Sequence, residues 1–230
     1  MTIELSREHI SAAATAAHEA TAATLGKSCG AGACETVCRR LVVVIEEEFA
    51  TAQQTGANIA CRSGCNFCCH QRVGVLPHEA IALFHYLRTR ATPAEAAAIE
   101  QRIVDNARRI DAMTVREHYA ANLPCAFLRD GRCSAYDVRP SACATYHSLS
   151  KERCEYSFNH PQDIGTPKNS RPALLDLQTF CDSLSEATRT GLTAAGLSNA
   201  KGELHQLLRT LLEDRGAVDR WCGGVEITGA

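Results

Sequence analysis

The stretch TPAEAAAIEQRIVDNARRI, Thr92 to Ile110, decides the fold class. Thr92 is an N-cap residue, Pro93 suits the first helical position, and Glu95 completes a capping box three residues after the cap. Ile99, Ile103 and Ile110 then mark an apolar stripe, so the stretch predicts a helix. The same grammar recurs on either side. Thr114-Val-Arg-Glu117 repeats the capping box and opens a short helix that stops before Pro124, and Pro77 begins a helix through Arg90, since a proline there loses no internal hydrogen bond. Ser6 caps a helix to about Thr24, with Gly26 as its end. Glu35 to about Gln54 predicts another. Within it Leu41-Val-Val-Val-Ile45 has a strand-like composition, but Glu46, Glu47 and Glu48 and the absence of a turn favour helix. Two more run from about Ala173 to Leu192 and from about Asn199 to Asp214. The second places Leu204, Leu207, Leu208, Leu211 and Leu212 on one face, and Gly216 ends it.

The texture changes between Cys125 and His147, where short apolar pieces alternate with turn residues. Asp130-Gly131 predicts a hairpin turn, and Arg139-Pro140-Ser-Ala-Cys143 reads as the start of a short helix. Residues 157 to 172 carry Pro161, Gly165, Pro167 and Pro172 and read as an irregular connector. The expected fold is mainly α, a helical domain with an irregular cysteine-rich centre containing a short hairpin.

The 230 residues hold 24 Lys+Arg against 26 Asp+Glu, a balance that argues against a protein built to neutralise phosphates or an anionic membrane surface. The expectation is no nucleic-acid and no membrane partner. Hydrophobic residues make up 45%, but 36 alanines and 13 cysteines supply much of that figure, so the core of large side chains is thin. No run of 18 apolar residues occurs, and Glu4, Arg7, Glu8, His9, His18 and Glu19 interrupt the alanine-rich start, unlike a signal peptide. The chain is expected to be cytoplasmic. Disulfides are uncommon there and an odd number of cysteines cannot all pair, which points to metal or redox chemistry instead.

The cysteines are clustered. Cys61-Arg-Ser-Gly-Cys65-Asn-Phe-Cys68-Cys69 puts four thiols in nine residues, with Gly64 free to fold the backbone tightly. Cys125, Cys133 and Cys143 form a second group. Cys29, Cys34 and Cys38 form a third, read either as part of a second centre with Cys154 or as an ordinary cysteine-bearing loop before a helix. Thiolates are the soft ligands that zinc and iron–sulfur clusters select. The first two groups offer seven, more than one mononuclear site uses; they would suit a polynuclear cluster, two centres, or one centre plus redox-active spares. Arg62, Arg72, Arg132 and Arg139 lie where they could offset thiolate charge, and Tyr136 and Asp137 where they could orient a ligand. His70 and His147 stand near the groups as lesser candidates. Cys61-x3-Cys65-x2-Cys68 also has the spacing of radical S-adenosylmethionine enzymes, but those require alternating strands and helices after the motif, and consecutive helices follow here.

Taken together, Cys61-x3-Cys65-x2-Cys68-Cys69, Pro124-Cys125-Ala-Phe-Leu128, Gly131-Arg-Cys133-Ser-Ala-Tyr136 and Arg139-Pro140-x-x-Cys143 resemble the zinc- or iron-chelating cysteine-cluster family, also called the YkgJ family. The resemblance covers about Asn58 to Tyr146 and implies seven metal ligands: Cys61, Cys65, Cys68, Cys69, Cys125, Cys133 and Cys143. The organisation expected is an N-terminal helical segment (1–56), a cysteine-cluster metal-binding core (57–156) and C-terminal helices packed on that core (157–230). A similar cluster accompanies flagellin lysine methylases, but no glycine-rich S-adenosylmethionine loop follows a strand here. The expectation is therefore a metal-binding protein holding iron as an iron–sulfur cluster, with zinc as the alternative metal. A redox or peptide-modifying enzyme using the cluster, and a structural zinc domain serving a protein or peptide partner, are the rival functions.

Overall fold

The computed structural model describes residues 4–229. The first helix, α1 (Arg7–Lys27), begins at Ser6, whose Oγ accepts a hydrogen bond from the His9 N–H at 3.1 Å, and it runs through Gly26. α2 (Ala31–Gln54) is continuous across the valine run. Leu41, Val42 and Ile45 are buried while Val43 and Val44 face outward, the spacing of a helix face; a strand would have hidden every second residue.

A two-residue strand β1 (Gly74–Val75) leads into α3 (Pro77–Thr89), followed by α4 (Pro93–Asp111) and α5 (Val115–Ala120). Both capping boxes form. Thr92 N–H donates to Glu95 Oε2 at 3.1 Å and Glu95 N–H to Thr92 Oγ1 at 3.3 Å; Thr114 and Glu117 do the same at 2.7 and 3.3 Å. Strands β2 (Leu128–Arg129) and β3 (Arg132–Cys133) form the expected hairpin. Asp130 and Gly131 between them both have positive φ, 49° and 74°, as a turn that follows the strands' own twist requires. The short α6 (Ser141–Ala144) follows, then α7 (Lys151–Asn159), α8 (Leu175–Ala194), β4 (Gly202–Glu203), α9 (Leu204–Glu213) and α10 (Ala217–Cys222).

Three of these elements depart from the sequence-based expectation. α7 occupies the start of what reads as connector, because Ser150 Oγ accepts from the Arg153 N–H and caps a turn that the later prolines do not reach. β4 pairs antiparallel with β1, 127 residues earlier by its Gly202 partner Val75, so two elements too short for a periodic signal find each other through the tertiary fold. The glycine-rich tail contains α10, where Trp221 is fully buried and its Nε1–H donates to Ser198 O at 2.9 Å.

The largest part of the core joins α2, α3, α4 and α9 around Ile81, Leu83, Ile103, Phe127, Leu208 and Trp221. A second part joins α2 to α8 through Leu41, Ile45, Phe180 and Leu184. α1 lies along α8, and Gly191 permits the approach. A Cβ there would stand 2.8 Å from both His18 O and Thr21 Cβ, closer than packed atoms tolerate. Among the described residues no helix is long and apolar enough to cross a membrane.

Candidate metal centre

The first cysteine loop is built by two tight turns. Gly64 has φ 87°, and Cys65 N–H donates to Arg62 O at 3.0 Å, reversing the chain between Cys61 and Cys65. Cys68 and Cys69 then sit in a 3-10 turn, Phe67–His70, with Cys69 N–H donating to Asn66 O at 2.9 Å. The second group is brought to it directly: Cys125 N–H donates to Cys69 O at 2.8 Å. Cys133 lies on β3 beside that contact, and Cys143 on α6.

All seven cysteines are partly buried, and their mutual influence shows who neighbours whom. Cys68 acts electrostatically on Cys125, Cys133 and Cys143, and with Cys65 and Cys154 it also acts on Cys61. Cys68 is the member common to both sets. Burial pushes the thiols of Cys61, Cys125 and Cys133 up to about 11 and that of Cys143 well above the ordinary thiol range. Cys68 is raised chiefly by its hydrogen bond with Cys69 and then by burial. Protons therefore occupy these sulfurs until a cation displaces them. As the side chains stand, no three His, Cys, Asp or Glu among the described residues converge closely enough to hold an ion. The chemical fit lies in the donor set: a gathering of soft sulfurs with a buried cation beside it.

That cation is Arg139. It is buried, its charge lowers the thiols of Cys68 and Cys133, its Nη1 donates to Tyr136 O at 2.7 Å and its Nη2 to Glu46 Oε1. Tyr136 is exposed rather than packed in the core; its ring lies 3.8 Å from the guanidinium and its hydroxyl donates to the same Glu46. Asp137 instead pairs with Arg39 and Arg90. Of the other arginines near the groups, Arg62 and Arg132 are exposed, and Arg72 lies over the Tyr119 ring.

Cys154, read from the sequence only as part of a second centre, belongs here, as do several residues that the sequence did not single out. Cys154 on α7 is buried and faces Cys65 and Cys68, with its thiol hydrogen-bonded to the Ser148 side chain. The Cys61 thiol lies against the Ser148 backbone, and Ala60 N–H donates to Ser148 O at 2.8 Å, so one buried serine seats both sulfurs. Tyr146 stands next to Cys154 and Cys68, receives a hydrogen bond from Gln71 Nε2 at 3.4 Å and stacks under Arg171; burial raises its phenol to about 12. Glu79, the third residue of α3, accepts from Leu76 N–H at 2.7 Å with one oxygen and from Ser141 N–H at 2.6 Å with the other, fixing the start of the helix that carries Cys143. The Pro77-His-Glu79 pattern was the available signal, legible as a helix start but not as a link to α6.

The third cysteine group does not assemble into a second centre. Cys29 is joined by a disulfide to Cys222 with Cα atoms 5.5 Å apart, and Cys34 and Cys38 are buried one turn apart on α2. The exclusion of disulfides drawn from the cysteine count is thus corrected for two of the thirteen, because the fold brings the turn between α1 and α2 to the end of α10. Cys154 joins the main group. His147 is fully employed by the backbone, its Nδ1 facing Thr145 O at 3.1 Å and its Nε2 accepting from Leu174 N–H at 3.2 Å. His70 Nδ1 faces Asn66 O at 3.1 Å, and its ring meets Phe158 edge-on.

A helical scaffold that presents clustered thiols beside a buried arginine defines a class, the cysteine-rich metal chelators. More narrowly, the chain belongs to the CxxCxxCC family, the zinc- or iron-chelating domain, whose family model matches residues 60–182. No curated protein and no solved structure matches the chain. Metal binding, with iron or zinc as the metal, follows from that membership. The matched region extends past Cys143 to include Cys154 and Cys181, but Cys181 is buried in the contact of α2 and α8, away from the cluster.

Proposed function

We propose that the protein holds iron as an iron–sulfur cluster through Cys61, Cys65, Cys68, Cys69, Cys125, Cys133 and Cys143, with Cys154 as an eighth thiol. The observation that carries this reading is the overlap of the two cysteine sets at Cys68. One tetrahedral zinc takes four ligands, whereas seven sulfurs in two sets that share Cys68, with Cys69 hydrogen-bonded to the shared member, suit a polynuclear centre. Arg139 would offset the negative charge that several thiolates leave on the centre. In this reading residues 57–156 form the metal-binding core, with 1–56 and 157–230 closing over it, and binding draws the two cysteine loops together.

Anaerobic purification followed by iron, zinc and acid-labile sulfide analysis tests it. A brown protein with sulfide and iron in comparable amounts, whose visible absorption is lost in Cys68→Ser, is the expected result. A colourless protein carrying one zinc per chain and no sulfide would replace it with the structural zinc reading, which the tie between Cys125 N–H and Cys69 O also supports. Retained fold in Cys68→Ser with loss of the metal would separate a working centre from a purely structural one.

A further inference from the structure

The segment Pro124-Cys125-Ala126 has every backbone polar group engaged, and three of the five partners are side chains from distant helices. Asn106 Nδ2 donates to Pro124 O at 2.8 Å and Arg102 Nε to Ala126 O at 2.9 Å, both from α4. Ala126 N–H donates to His205 Nε2 at 3.3 Å, from α9. The remaining two groups bond locally, Cys125 N–H to Cys69 O at 2.8 Å and Leu128 N–H to Cys125 O at 2.9 Å.

His205 is itself held. Its Nδ1 lies 3.1 Å from Glu203 Oε1, and Glu203 Oε2 accepts from the N–H groups of His205 and Gln206 at 2.7 and 3.0 Å, capping α9. Asn106 Nδ2 also approaches His205 Nε2 at 3.2 Å. Two N–H donors converging on Nε2 leave the ring hydrogen on Nδ1, directed at Glu203. Asn106, Glu203 and His205 are all buried, at 6%, 4% and 5% exposure. Glu203 is fixed in turn by β4, which pairs with β1 immediately before α3, and Leu204 N–H donates to Val73 O at 3.0 Å. Gly202 is required for this seating, since a Cβ there would stand 2.6 Å from Leu207 Cγ.

From this geometry we infer that Glu203 and His205, which lie beyond the residues 60–182 matched by the family, are positioning residues that fix Cys125 for metal binding. The inference rests on the reading of Cys125 as a ligand. The arm acts on the backbone that carries the sulfur and not on the sulfur itself. A fully bonded tripeptide presents its side chain in one orientation, and the ordering is then complete before the metal arrives. Groups hydrogen-bonded directly to a metal ligand typically change metal affinity 10- to 100-fold when removed, and an arm that acts through the ligand's backbone is expected at the lower end of that range.

The test uses the full chain, stripped of metal, with zinc affinity measured by chelator competition and cobalt(II) loading followed through its thiolate charge-transfer and ligand-field bands. His205→Phe keeps the ring volume and removes all three of the ring's hydrogen bonds; His205→Gln restores an acceptor for Ala126 N–H. The expected result is a cooperative fold in both variants, zinc affinity at least tenfold weaker with weaker cobalt–thiolate absorption in His205→Phe, and substantial recovery in His205→Gln. If His205→Phe does not fold, Asn106→Leu, which releases Pro124 O from the other side, must give the same loss. Wild-type affinity and spectrum in the folded variants would overturn the inference while leaving the metal site standing. Failure of the wild type to take up zinc or cobalt would overturn the metal reading and this inference with it.

Discussion

Replacing Cys222 by alanine tests how the turn between α1 and α2 is held to the end of α10. The bond to Cys29 closes a sequence separation of 193 residues, the whole of the metal-binding region included. Loop-closure entropy for a loop that long corresponds to about 5 kcal/mol of stabilisation at 25 °C, an upper bound because a real unfolded chain is already compact. Unfolding entropies of about 2 cal/mol/K per residue make each degree of melting temperature worth about 0.5 kcal/mol for a chain of this size, so Cys222→Ala should melt about 10 °C lower. Trp221 keeps its buried place and its bond to Ser198 O, so the loss should come from the unfolded state and leave the native Trp221 fluorescence unchanged. The assay is thermal unfolding of the metal-free protein by circular dichroism, with and without reductant. Reduced wild type should melt with the variant, and metal-free wild type denatured without reductant should show eleven free thiols among its thirteen cysteines. A melting temperature within 2 °C of the oxidised wild type, or thirteen titratable thiols, would refute the reasoning.

Three further predictions concern the rest of the molecule. Gly191→Val should destabilise the fold by about 1–3 kcal/mol in urea denaturation, since the added atoms collide with the α1 backbone at His18 and with Thr21; an unchanged midpoint would show that α1 does not pack as described. Burial holds the rings of His78, His118 and His147 below the usual histidine range. Their folded values thus lie under the unfolded value of about 6.5, the unfolded chain binds more protons below it, and stability present above pH 6.5 should fall as the pH drops, at up to about 1.4 kcal/mol per pH unit for each ring. His78 has neither ring nitrogen hydrogen-bonded, so His78→Leu should flatten that slope and raise the urea midpoint at pH 6. Burial raises Cys34 and Cys181 to about 12 and Cys38 well above the ordinary range, so native protein treated with iodoacetamide at pH 8 should leave these three unlabelled by peptide mass analysis until it is denatured.

What could be read from the sequence was local. The capping boxes at Thr92 and Thr114 declare themselves within four residues, and the Asp130-Gly131 turn within two, because backbone conformation there follows from the side chains at hand. The clustered cysteines were legible for the same reason. The departures are long-range. β1 and β4 are two residues each and carry no periodicity, so only the assembled fold shows that they pair. Cys154 looked isolated because the chain returns to the first loop only through α7, and Cys29 looked like a neighbour of Cys34 when its partner lies at the other end. Glu203 and His205 fell inside a helix expected from about Asn199; that Glu203 caps its true start and that His205 holds Ala126 has no trace in the spacing.

Glu79 joins two things that are usually separate. One oxygen closes the first turn of α3, whose next residues Ala80, Ile81, Ala82 and Leu83 are all in the core, and the other holds the N-terminus of the four-residue helix bearing Cys143. A helix of four residues has no stability of its own. Its direction is borrowed through one carboxylate from a helix that the whole interior holds still. The sulfur of Cys143 is consequently referenced to the apolar core and not to the loop around it, and a substitution that rotates α3 even slightly will register at the thiols before it registers in the melting temperature.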